Sequence, residues 1–300
     1  MSPQAPAGAN AATLASPAAA SHITLRYGSH PGELGLLRAP EQPPLGPESF
    51  ALGADGSVLI ADVANERVSV FAPDGAFRGA LALPGVALGD VVVDNVGRIL
   101  VYDQARCVLK QFDADGTPRA ELQLNPRDID TRGYFHVVGD RIYFADAAAR
   151  DVLVAVLRDG ALAPPEPSQP RVTDGVHGAS GRVYSLAVER GVALRLTVRE
   201  PGTGATPSGR EVPLPGLLSA RFIGEDAGGR FYVQVETLEA GRVVLGVMSF
   251  SRDGEPQRAL RLPENDYALW TAKLLDVQPD GTLVQFLPQR EQAKLYRFAN

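Results

Sequence analysis

Three hundred residues exceed the ~150-residue prior for one domain, yet closed all-β architectures reach this length as one unit, so length does not force two domains. Hydrophobic residues at 45%, charged residues at 21% and a net charge of -6 exclude a chain held open by self-repulsion. Acidic side chains (35) outnumber basic ones (29) and no basic run occurs, which excludes the electrostatic footprint of a nucleic-acid-binding surface.

Residues 1–21 are Ala, Pro and Ser with almost nothing else: no charge, and no large apolar side chain beyond Leu14. Such a stretch cannot bury enough surface to offset its ordering entropy, so it reads as a flexible N-terminal segment ahead of a folded unit over residues 22–300. It has neither the positive start nor the about 7–15-residue apolar stretch of a secretory signal, and no run in the chain nears the ~20 apolar residues of a membrane span. Its composition is similar to the stalk that follows a cleaved signal or lipid-anchor site in exported bacterial proteins. On that reading the protein is periplasmic, secreted or on the cell surface, and Met1 is not the natural start; the alternative is a native disordered tail. Only three lysines (Lys110, Lys273, Lys294) stand among the 29 basic side chains, a bias of GC-rich bacterial genomes. Cys107 is the single cysteine; it can close no intrachain disulfide and complete no Cys-based zinc site.

His22–Tyr27 alternates as a strand, and from Ala51 onward the chain repeats itself. Shifting residues 51–83 by 41 places Gly56 on Gly97, Asp62 on Asp103, Phe71 on Phe112 and Asp74-Gly75 on Asp115-Gly116 without a gap. Apolar strands of period two separated by Gly and Asp-Gly turns predict antiparallel meanders. First turns recur near Gly56, Gly97, Gly139, Gly181, Gly229 and Gly281, which predicts six units of four short strands and hence an all-β, six-bladed β-propeller. The sixth unit runs out after its third strand, Ala293–Phe298, and the spare His22–Tyr27 strand is expected to close it.

Tyr27-Gly28-Ser29-His30-Pro31-Gly32-Glu33-Leu34, then Gly46-Pro47-Glu48-Ser49-Phe50-Ala51, Asp62, Asn65, Arg67 and Asp74-Gly75 run in an order that resembles the NHL repeat family. The resemblance is strong in the first unit, clear in the second and thin beyond Gly139. It implies a propeller used mostly for protein, RNA or glycan binding and sometimes as the body of an enzyme; the acidic balance disfavours the RNA branch. Asp62, Asn65 and Arg67 read as turn architecture, because Asp and Asn satisfy turn amides and Arg pairs with the acid.

Candidate site residues come from the innermost strands. Five positions before the residue that opens each second strand stand Leu52, Val93, His136, His177, Glu225 and Val277. Two imidazoles and a carboxylate in consecutive units are a ligand set for a divalent metal if they converge; the competing expectation is a structural His–Glu hydrogen-bond network. No Gly-x-Ser-x-Gly elbow and no phosphate-binding glycine loop occurs. Tyr267 and Trp270, in the long link between the fifth and sixth units, are candidate partner anchors, and insertions over residues 201–215 and 236–242 should lengthen hairpins or loops. The leading expectation is a non-enzymatic binding or scaffold propeller with a protein or carbohydrate partner and no cofactor. The alternative is a metal-dependent lyase or lactonase with its site at the axial channel. A third expectation is one subunit of a larger assembly.

Overall fold

The computed structural model describes residues 14–15, 21–130, 133–202, 207–266 and 268–299. The expected architecture is the one observed: six antiparallel sheets, with 3-10 turns at Val63–Asn65 and Pro126–Asp128 as the helical elements among the described residues. From inside outward, blade one is Phe50–Leu52, Val58–Asp62, Arg67–Phe71 and Phe77–Ala82; blade two is Leu88–Val93, Ile99–Asp103, Val108–Phe112 and Pro118–Gln123. Blade three, Tyr134–Val138, Arg141–Ala145, Arg150–Arg158 and Ala161–Ala163, gains a fifth strand, Val172–Asp174, paired to the start of its long third strand. Blade four is Val176–His177, Val183–Glu189, Ala193–Arg199 and Ser208–Pro213, and blade five is Leu217–Glu225, Phe231–Glu239, Arg242–Phe250 and Pro256–Arg261. In blade six, Leu275–Val277, Leu283–Pro288 and Gln292–Phe298 are completed by Ser21–Arg26, with Ile23 opposite Leu295 and Leu25 opposite Ala293. No helix among the described residues is long and apolar enough to cross a membrane.

Burial follows the layering. Val58–Asp62 is buried at every position because neighbouring blades cover both faces of a second strand. The outer strand Phe77–Ala82 alternates half-buried and exposed, as one wetted face requires. Gly75 and Gly116, 41 positions apart, both sit at φ +88° in the turn between third and fourth strands, a conformation glycine takes without a Cβ penalty. The Asp62–Asn65–Arg67 set is architectural: Asp62 accepts from the Gly35 amide (2.6 Å), Asn65 Nδ2 (3.0 Å) and Arg67 Nε (2.9 Å), tying residues 28–35 to blade one.

A meander that runs outward in four strands has two unlike faces. Turns between strands one and two and between three and four lie on one, here called the turn face. Turns between strands two and three, and the connections from one blade to the next, lie on the other, the loop face. The turn face carries Asp55, Asp74, Asp115, Asp140, Asp159, Asp253 and Asp280. Of the ten large apolar side chains exposed among the described residues, nine (Leu37, Leu45, Val172, Val188, Val192, Leu218, Leu238, Val243 and Trp270) belong to the loop face, and Val96 alone to the turn face.

Candidate functional site

Two polar clusters lie among otherwise apolar inner strands. The first gathers at the loop-face ends of the strands nearest the axis. Asp90 of blade two is buried; it accepts from the Ser49 hydroxyl of blade one and from the amides of Phe135 in blade three (2.7 Å) and Val91 (2.8 Å). Burial pushes the Asp90 carboxyl up, against those hydrogen bonds and the charge of Lys273. Glu48 follows: burial first, and then the Asp90 charge, push it up to about 7. Lys273 donates to Asp276 (2.6 Å) and lies 5.7 Å from the Phe50 ring centroid. Arg221 of blade five stacks its guanidinium 4.1 Å from the Tyr134 ring centroid and donates to the Ala272 carbonyl, while the Ala272 amide donates to Glu48 O. The 263–274 connection is thereby pinned over the inner strands of blades one, five and six.

The second cluster lies between blades three and four. Asp151, fully buried on the third strand of blade three, holds His136 Nε2 on one oxygen (2.8 Å) and both His177 Nδ1 (2.8 Å) and the His177 amide (2.7 Å) on the other. Tyr143 stacks on each imidazole, at 5.6 Å from His136 and 4.3 Å from His177. Burial acts to raise the Asp151 carboxyl, but the His136 charge and the hydrogen bonds from both histidines outweigh it and hold it at about 2. A cleft of about 560 Å³ opens here on the turn face, lined by Arg141, Tyr143, His177, Ser180, Arg199 and Glu200 among others.

The sequence-selected residues divide accordingly. His136 and His177 come together, on one carboxylate that the sequence did not single out. Glu225 does not join them: its Oε2 accepts from the Ser180 amide (3.0 Å) and hydroxyl (2.8 Å), and its Oε1 lies 3.6 Å from buried Arg182. No group of three or more His, Cys, Asp or Glu side chains among the described residues is arranged to hold a metal ion. Counting from the second strand also places His136 one step off. The first hairpin of blade three is a residue shorter, so Val137 pairs Ile142 where Leu52 pairs Val58, and His136 pairs Tyr143. Trp270 is 53% exposed, while its neighbour Leu269 is buried against Gly46; Tyr267 lies outside the described residues. The loop-face cluster left a sequence signal that spacing alone passes over: Asp90 and Asp276 each interrupt an apolar strand.

No family model matches the chain, and no curated protein matches it. Among solved structures the chain is similar to a member of the DUF4221 family from Bacteroides vulgatus, at 13% identity over 93% of this chain and 96% of that chain, with a TM-score of 0.50. It is also similar to virginiamycin B lyase from Staphylococcus aureus (11% identity, 93% and 99% covered, TM-score 0.46) and to the RRP9 WD40 repeats (10% identity, 83% and 79% covered, TM-score 0.46). What the likeness to the DUF4221 structure shows is the fold, the six-bladed β-propeller described above.

Proposed function

We propose that this chain is a non-enzymatic binding propeller that docks a protein partner on its loop face. The observation that carries the reading is the segregation of exposed apolar side chains: nine of ten lie on that face. Exposed apolar residues scattered singly are normal, whereas their collection on one face is the mark of an interaction surface. The second and third strands of blades four and five are lengthened to seven and nine residues, against five in blade one, and their ends present Val188, Val192, Leu238 and Val243. Aliphatic side chains of this kind favour protein over carbohydrate, since sugars are met by aromatic platforms and Trp270 is the one exposed tryptophan. The NHL resemblance of blades one and two supports the same reading, and the composition of residues 1–21 supports an exported bacterial setting.

The metal-assisted lyase or lactonase reading has no comparable support, because His136, His177 and Glu225 are engaged with Asp151, Ser180 and Arg182. Photo-crosslinking side chains placed at Val243 and at Val96 test the proposal in native extracts of the source cells. Adducts with a reproducible partner from position 243 and none from position 96 are expected. Equal labelling from both positions, or stoichiometric metal in the purified protein lost with His136→Ala, would overturn it.

A further inference from the structure

Beyond the loop face, the outer edge of blade five carries an added piece of backbone. Ala15 donates its amide to Ala259 O (3.1 Å) and accepts from the Arg261 amide (2.8 Å), straddling Leu260 as a residue of a parallel ladder does. Its neighbour Leu14 lies over Gly246: a Cβ built on that glycine would meet the Leu14 methyl carbons at 2.6 and 2.7 Å. Leu14 also packs against the core that blades four and five share. Gly246 stands inside the nine-residue strand Arg242–Phe250, opposite Arg261, and no positive φ requires a glycine there. A glycine inside a strand costs stability and marks a place where something approaches closely; here the nearest approach is that of the Leu14 methyls, followed by the Leu260 carbonyl of the neighbouring strand at 3.0 Å.

We propose that the outer edge of blade five is a peptide-binding site that takes an extended, uncharged segment presenting a leucine to the Gly246 socket, and that residues 14–15 occupy it in cis. The chemistry is β-strand addition: main-chain hydrogen bonds to Ala259 and Arg261 give affinity, and the socket gives specificity for a branched aliphatic side chain. Five residues separate Ala15 from Ser21, which is fixed in blade six opposite Arg297. So short a tether gives the cis segment an effective concentration on the order of millimolar, enough to exclude a free competitor. An unoccupied edge of this kind is a pairing hazard, and the cis segment covers it.

The full-length chain and its Leu14→Asp variant, titrated with a fluorescent peptide of residues 9–19, provide the test. The variant is expected to bind the peptide at least tenfold more tightly than the wild type, and a peptide carrying aspartate in place of the leucine should bind neither. Amide exchange at Arg261 provides a second readout in the same proteins: slow in the wild type, fast in Leu14→Asp, slow again when the peptide is added. Equal binding to both chains, binding to neither, or an Arg261 amide indifferent to all three conditions would overturn the proposal. Near-UV circular dichroism verifies that the variant is folded, and Gly246→Leu in the Leu14→Asp background should abolish peptide binding.

Discussion

Glu48 and Asp151 are carboxylates that the fold moves in opposite directions, and each gives stability a different dependence on pH. Glu48 is raised from an ordinary 4.5 to about 7, so the folded state holds a proton that the unfolded state has released. Its contribution is complete below about 4.5 and is lost as pH rises through about 7. Urea unfolding at pH 5 and pH 8 should therefore show a smaller loss of stability in Glu48→Gln than in the wild type; an unchanged difference would refute the account. Asp151 is lowered to about 2, so its contribution is present above about 4 and lost as pH falls towards 2. Asp151→Asn removes the charge and replaces one of the two oxygens that serve the imidazoles with a donor, and a loss of about 3 kcal/mol is expected in the same assay at pH 7. The histidines themselves were legible in the sequence, but Asp151 was not. It pairs Ala145 where blade one pairs Ala61 with Val68, so the repeat predicts an aliphatic residue there. Chemistry that appears in one blade only is invisible to an argument built on periodicity.

At the scale of the element, the 263–274 connection separates two neighbours that the sequence presents alike. Leu269 is buried against Gly46, and Trp270 is 53% exposed. Leu269→Ala should cost about 2–4 kcal/mol in chemical denaturation, from lost burial and the cavity left behind, whereas Trp270→Ala should stay within about 0.5 kcal/mol. A large cost at Trp270 would make it a packing residue rather than an anchor. The lengthened hairpin of blade five was legible as the insertion over residues 236–242, whereas that of blade four, Val183–Glu189 with Ala193–Arg199, lies ahead of the 201–215 stretch from which it was expected. The added strand Val172–Asp174 and the two-residue inner strand of blade four were not, because neither has a counterpart in the first two blades. Nor could the Leu14 contact be read from a stretch of Ala, Pro and Ser. Its socket is defined by Gly246, more than two hundred positions away, and a missing side chain leaves no local pattern.

On the scale of the whole molecule, the ring is held by one non-sequential pairing, between Ser21–Arg26 and Gln292–Phe298. That closure was the most legible long-range feature, since the sixth unit lacked a strand and the first had one to spare. Leu25 is 5% exposed in the core it shares with Phe50 and Phe286, and Leu25→Ala should cost about 2–5 kcal/mol. Hydrogen exchange should release in one step the amides that bond across this pair, because opening Ser21–Arg26 exposes those amides on both strands while the bonds from Gln292–Phe298 to Leu283–Pro288 persist. Independent exchange of the two would show that the first strand is an accessory rather than a clasp.

The same pairing sets a timetable for biosynthesis. A ribosome delivers Ala293 268 positions after its partner Leu25, so blade six waits until the five blades between them have been synthesised. Joining segments about 270 positions apart costs about 5 kcal/mol in chain entropy, which the earlier assembly of blades one to five reduces by bringing the two ends near each other beforehand. During that wait Ile23 and Leu25 remain wetted on a nascent chain, and the completed blades present a gap that Gln292–Phe298 fills.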